Sequence, residues 1–308
     1  MMRLPGWLAV PAAALAVVLS TILHVLPLLL VAVVKAVLPW RPIRRRLDGA
    51  LMAIAQSWIG INSALVVRLT RTRFQVVVDA TLRPDGHYLV LANHQSWVDI
   101  PVLQKVFNRR IPLLRFFLKQ QLFWVPLLGL AWWALDFPFM RRYSRAQLAR
   151  RPELAGRDIA ATRRACARFA DIPVAIMNFV EGTRFTPGKH ARQASPYRHL
   201  LRPKAGGAAF VIDAMGTGLH AVLDVTLVYP GGAPSLADLF ADRVAEVHVH
   251  VRELPIPAEL ARGDYQGDAD YRARFQDWIT TLWQAKDARI DAVLAGRDPV
   301  AGAGVARG

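Results

Sequence analysis

The chain has 308 residues, enough for one large core or two small ones, and is 54% hydrophobic with a mean hydropathy of +0.24. Only 20% of residues are charged, yet the formal net charge is +16. That combination points to work against an anionic membrane surface; nucleic acid, the rival partner, is not expected, because no zinc-ligand spacing, aromatic RNA-binding motif or basic zipper accompanies the charge. A single cysteine, Cys166, excludes an intramolecular disulfide framework and reads as a buried helix residue in a reducing compartment.

Residues 7–38 are almost wholly apolar, interrupted by His24, Lys35 and two prolines. The run exceeds the roughly 20 residues that cross a bilayer, so a transmembrane helix is expected over about 8–38. A cleaved signal peptide is the rival, but the run is too long and lacks a small-residue cleavage site. Arg41, Arg44, Arg45 and Arg46 follow as a basic flank that stays on the cytoplasmic side. Residues 49–67 form a second apolar stretch with basic groups on both sides, which reads as a helix lying in the interface with Trp58 at headgroup level. Residues 1–72 are thus expected to anchor the chain.

From Phe74 the pattern becomes alternating strands and helices. Strands are expected at 74–78, 87–92, 174–180, 222–229 and 244–251, and helices near 97–107, 117–132, 156–170, 204–215 and 268–295. Such alternation implies an α/β domain over 73–297, with a mixed central sheet flanked by helices. The segment 122–135 is too short for a span and reads as a buried or membrane-apposed helix. The tail, 298–308, is rich in small residues and is expected to be disordered.

The first motif is NHQSWVD, Asn93 to Asp99, directly after an apolar strand. On a regular helix, positions five apart diverge by roughly 140°, so His94 and Asp99 meet only if His94 sits on the turn before the helix and Asp99 in its first turn. Ser96 is a suitable N-cap and Asp99 falls three residues later. That arrangement would deliver an imidazole with a carboxylate on its ring nitrogen, a general base with its orienter. The plain alternative is a helix-start acid and an unrelated histidine.

The second motif, EGTR, places Glu181, Gly182, Thr183 and Arg184 on a turn at a strand's carboxyl end, where α/β sheets bind ligands. Gly182 permits close backbone approach, Thr183 offers a hydroxyl and Arg184 a fork suited to phosphate; Glu181 would hold Arg184 or accept a substrate hydroxyl. A polar turn with an internal Glu–Arg pair is the alternative. Arg141 and Arg142, after an aromatic-rich strand, face the same cleft or solvent. His248 and His250 share one face of a strand and read as exposed positions, since no third ligand clusters with them to hold a metal. No G-x-S-x-G elbow supports a serine hydrolase.

NHQSWVD, then FMRR, then FVEGTR, in this order, resembles the glycerolipid acyltransferase family that includes 1-acyl-glycerol-3-phosphate acyltransferases. The intervening Lys119-x-x-Leu122-x-x-x-Pro126-x-x-Gly129 matches another of its patterns, and FLKQQLFWVPLLGLAWWALDFPFMRRYSRA is similar to the bacterial inner-membrane branch called YihG-type. The resemblance covers roughly Phe74 to Tyr229; a long basic insert from Tyr143 to Phe169 departs from it, and VTLVYP matches the last block only loosely. It implies that His94 deprotonates a lysophospholipid hydroxyl attacking an acyl thioester, with Asp99 orienting the imidazole. It implies too that Arg142 and Arg184 grip the acceptor phosphate, that Glu181, Gly182 and Thr183 shape that site, and that Lys119 contacts phosphate or donor. No metal or organic cofactor is expected; acyl-coenzyme A or acyl carrier protein would be co-substrate, membrane phospholipids and lysophospholipids the partners, and the cytoplasmic face of a cell inner membrane the location. Lysophosphatidylglycerol or lysocardiolipin as acceptor, or a non-catalytic basic protein binding membrane or nucleic acid, are the alternatives.

Overall fold

The structure is a computed structural model that describes residues 5–140, 150 and 172–297. The expected helix at 156–170, Arg141, Arg142, Cys166, the basic insert apart from residue 150, and the tail from 298 lie outside the described residues.

Two long helices open the chain. α1 (Gly6–Val37) runs through Pro11 and Pro27 without ending, and α2 (Arg41–Leu69) begins with Pro42 in its first turn, where a missing N–H costs nothing. Both are long and apolar enough to cross a membrane. α2 therefore extends a full two turns ahead of the expected 49–67 stretch and carries the arginine cluster inside the helix. The two helices pack together, and polar groups cross between them: the His24 ring meets Ser57 Oγ at 3.2 Å, and Trp58 Nε1 donates to Thr21 Oγ1 at 3.2 Å. Lys35 and Asp48 close the connecting end at 2.5 Å.

The rest is a mixed six-stranded sheet flanked by helices, with strand order β1-β8-β7-β2-β6-β3. Its strands are β1 (Arg73–Asp79), β2 (His87–Ala92), β3 (Leu114–Phe116), β6 (Val174–Phe179), β7 (Ala221–Val228) and β8 (Glu246–Leu254). β2, β6 and β7 are mutually parallel, while β8 runs antiparallel to β7. β2 is buried on both faces, as central parallel strands are. Its Leu89 and Leu91 pack with α6 (Gly206–Met215) and α8 (Ala269–Leu294), and its Tyr88, Val90 and Ala92 pack with α3 (Asp99–Phe107). Because β2, β6 and β7 are parallel, their carboxyl ends open on one edge.

Several expectations change. Residues 117–132 are not one helix: they form β4 (Leu118–Lys119), a 3-10 turn (Gln120–Trp124) and a short α4 (Leu128–Ala134). Pro126 cannot donate, Leu127 adopts φ 63°, and Gly129 lies so close to Phe123 O that a Cβ would sit 1.8 Å from it. β4 pairs with β5 (Phe139–Met140) outside the main sheet. Short edge strand β3 and helices α5 (Pro187–Gln193) and α7 (Leu236–Phe240) were not anticipated. His250 is not an exposed strand position: it is buried, bonded to Asp79 at 2.6 Å, and His248 is half-buried 3.5 Å from Glu246. Among the described residues no group of three or more His, Cys, Asp or Glu could hold a metal.

Candidate active site

The site is assembled on the shared carboxyl edge of β2, β6 and β7. The chain leaves β2 at Ala92, and Asn93 is at once tied sideways: its Nδ2 donates to Leu227 O and its Oδ1 accepts from Leu227 N, both at 2.9 Å. A buried amide that mimics a strand partner fixes the exit of β2 against β7.

The turn that follows is closed by Asp99. Its Oδ2 accepts from the backbone N–H of Gln95 at 2.7 Å and of Ser96 at 2.9 Å, and lies 2.7 Å from His94 Nδ1. Ser96 Oγ accepts from Val98 N at 2.9 Å rather than from Asp99 N, so half of the expected capping box forms and helix α3 starts at Asp99. Asp99 is fully buried. A carboxylate on Nδ1 selects the tautomer that carries the proton there, leaving Nε2 as the basic nitrogen. Among the described residues nothing hydrogen-bonds Nε2. Phe179 stacks on the imidazole with centroids 3.9 Å apart and planes at 12°, fixing the ring's remaining freedom.

The turn after β6 is locked to this one. The His94 N–H donates to Glu181 Oε1 at 3.0 Å, the Leu201 N–H to Glu181 Oε2 at 3.2 Å, and Phe185 N–H to His94 O at 2.7 Å. This corrects the expected part of Glu181. Its carboxylate is fully buried with both oxygens taken by backbone amides, so it neither holds Arg184 nor faces a substrate hydroxyl; it holds the His94 turn in place. Burial pushes its pKa up to about 8, against the two N–H donors that favour the ionised form. Gly182 adopts φ +68°, a left-handed conformation that favours glycine, and the Lys204 side chain lies close to where a Cβ would stand, at 3.3 Å.

Thr183 and Arg184 stand on the open side. Thr183 Oγ1 accepts from Lys189 Nζ at 2.8 Å, and the same ammonium donates to Arg184 O at 2.9 Å. The Arg184 guanidinium lies over the Trp97 ring, 4.5 Å from its centroid, so a cation from one turn rests on an aromatic from the other. Lys204, whose N–H donates to Val180 O, brings a third cation, this one exposed, beside Gly182. The structure thus brings together His94, Asp99, Glu181, Gly182, Thr183 and Arg184. Lys119 is exposed on β4, and no hydrogen bond or ion pair joins it to the His94–Asp99 pair among the described residues. Arg142 lies outside the described residues.

Residues that sequence reasoning did not single out complete the site. Phe179, Trp97, Asn93 and Lys189 shape it directly. Tyr229, at the exit of β7, donates its O–H to Asp99 Oδ1 at 2.6 Å. Beneath lies a buried ion network: Lys286 of α8 meets Asp224 Oδ1 at 2.6 Å and donates to Val225 O at 2.6 Å, while Arg252 donates to Asp224 Oδ2 at 2.5 Å. The signal for some of these was local: Asn93 and Trp97 sit inside the NHQSWVD block, Phe179 inside FVEGTR and Tyr229 inside VTLVYP.

A sequence model of the family described as Acyltransferase matches residues 73–230. Lysocardiolipin acyltransferase 1 of Mus musculus is 24% identical over 79% of this chain and 63% of its own length. The 1-acyl-sn-glycerol-3-phosphate acyltransferase epsilon of Mus musculus is 25% identical over 87% of this chain and 73% of its own. More than a third of the first relative therefore has no counterpart here. The crystal structure of the 1-acyl-sn-glycerophosphate (LPA) acyltransferase from Thermotoga maritima overlaps with a TM-score of 0.47 at 15% identity, covering 89% of this chain and 98% of that one.

Proposed function

Because the chain belongs to the acyltransferase family, we propose that it transfers a fatty-acyl chain from an acyl thioester, acyl-coenzyme A or acyl carrier protein, to the free hydroxyl of a lysophospholipid such as 1-acyl-glycerol-3-phosphate. The observation that carries this reading is the His94–Asp99 pair: a buried acid on Nδ1, an unengaged Nε2, and the Arg184 cation on the adjoining turn.

His94 Nε2 takes the proton of the acceptor hydroxyl as its oxygen attacks the thioester carbonyl. The C–S bond breaks, the thiolate leaves, and the imidazolium returns the proton to it. Asp99 stabilises the imidazolium meanwhile. A base so placed contributes about 10²–10⁴-fold, and no protein nucleophile is needed. Arg184 receives the acceptor's phosphate, with Thr183 and Gly182 shaping the approach; Arg142 and Lys119 remain candidates for the same phosphate or for the donor. Helices α1 and α2 hold the sheet's open edge at headgroup depth, on the cytoplasmic face of an inner membrane, with the arginines of α2 against anionic lipid. The resemblance of 117–146 to the YihG-type branch supports that setting. A lysocardiolipin-type acceptor is the second reading, favoured by the name of the first relative.

The test is a panel of lysophospholipids offered to the full-length protein in detergent micelles with both donor types. Transfer to a phosphate-bearing acceptor is expected, and Arg184→Ala should raise the acceptor KM about 10- to 100-fold while the donor KM holds. Equal loss toward both substrates would remove Arg184 from the phosphate.

A further inference from the structure

Asp99 has two oxygens with different company. The three donors on Oδ2, namely His94 Nδ1, Gln95 N and Ser96 N, all belong to Asp99's own turn. Oδ1 receives the Tyr229 O–H at 2.6 Å, from residues 130 positions away. Tyr229 is almost fully buried, and burial together with the adjoining carboxylate keeps its phenol protonated well beyond the ordinary range. It is therefore a permanent donor. The Asn93–Leu227 clasp sets the separation between the two exits and so holds Tyr229, two residues past Leu227, over Asp99.

A hydrogen bond donated to an ionised carboxylate disperses its charge and lowers its pull on any other proton it shares. We propose that Tyr229 is a positioning residue for the acyl-transfer reaction: by holding Oδ1 it aims Oδ2 at His94 Nδ1 and tempers the pull of the Asp99 carboxylate on the imidazole. The proposal rests on His94 being that base. No proton leaves Tyr229 in the cycle; the substrate proton goes to Nε2 and on to the leaving thiolate.

The charged groups around the pair are few and separable. Glu181 faces it from the β6 exit with both oxygens on backbone amides, and Lys286 lies beneath Glu181 from α8. Arg184 lies over Trp97, and Lys189 and Lys204 stand beside Arg184's turn. Replacing only the Tyr229 hydroxyl leaves all five in place. Without that donor, Asp99 becomes the stronger base, the imidazolium is stabilised, and neutral His94 appears only at higher pH.

The experiment measures kcat/KM for transfer from acyl-coenzyme A to 1-acyl-glycerol-3-phosphate between about pH 5 and about pH 9, with the full chain in detergent. The parental protein is compared with Tyr229→Phe and His94→Ala. In Tyr229→Phe the acid limb should move upward by roughly half to one unit. Its plateau kcat should fall about 3- to 10-fold with the acceptor KM unchanged. Should the phenylalanine variant not fold, 3-fluorotyrosine in place of tyrosine provides a more acidic phenol, and the limb should move downward instead. An acid limb that stays put in either protein overturns the proposal and leaves Tyr229 a packing residue. If His94→Ala retains the parental rate, it is the assignment of the base that fails, and Tyr229's part with it.

Discussion

Among the described residues, two histidine–aspartate pairs are of nearly equal length, 2.7 Å at His94–Asp99 and 2.6 Å at His250–Asp79, and turned opposite ways; a third, His199–Asp291, is longer at 3.2 Å. At the first, the carboxylate is 0% exposed and the imidazole 13%; at the second, the imidazole is 7% exposed and the carboxylate 60%. Asp99 collects donors from three backbone and side-chain groups of its own turn and a fourth from Tyr229. His250 instead has its pKa lowered by burial, opposed by its bond to Asp79 and reinforced by Arg289 and Arg252. A pair's length thus says little about its chemistry. What matters is which partner reaches the cleft: a buried acid behind a reachable imidazole makes a base, whereas a buried imidazole behind a reachable acid stitches β8 to β1.

The largest test of that contrast removes each imidazole in turn. His94→Ala should lower acyl transfer about 10²–10⁴-fold while circular dichroism and membrane association stay parental. A variant that keeps the parental rate would make the two pairs equivalent. A smaller effect separates Glu181 from the pair it supports. Its folded-state pKa, about 8, stands above its ordinary 4.5, so between those values the folded protein holds a proton that the unfolded chain has released. Stability from this group is full below about 4.5 and falls as pH rises toward 8, by at most about 1.4 kcal/mol per unit. Glu181→Gln should flatten that decline in a thermal melt. It should also cut kcat about tenfold, because an amide cannot accept both backbone N–H groups. A slope unchanged by the substitution would mean that another group titrates there. The smallest effect belongs to His250→Ala, expected to cost about 1 kcal/mol of stability with the rate within about twofold of parental. A large loss of rate with little loss of stability would give the second pair a function.

Much of this was legible before any coordinates. The strands at 74–78, 87–92 and 174–180 announced themselves as apolar runs, whereas the His94–Asp99 meeting was one of two readings the spacing left open, decided by the 2.7 Å contact. Glu181 was misread because its partners are backbone amides 87 and 20 residues away, which no side-chain pattern encodes. The parts played by Tyr229 and Phe179 were missed for the same reason: both lie inside the VTLVYP and FVEGTR blocks, but as the ends of strands whose parallel pairing alone carries them to Asp99 and His94. The broken helix at 117–132 hides behind an apolar run in which Pro126 and Gly129 act as chain reversals rather than as tolerated interruptions.

Base catalysis by His94 depends on which of its ring nitrogens is free. With histidine labelled by 15N, and the His94 resonances identified by their loss in His94→Ala, the ring shifts of the resting protein at neutral pH report the tautomer directly. The predicted result is a protonated Nδ1 and an unprotonated, pyridine-type Nε2. A proton resident on Nε2, with Nδ1 bare toward Asp99, would contradict it.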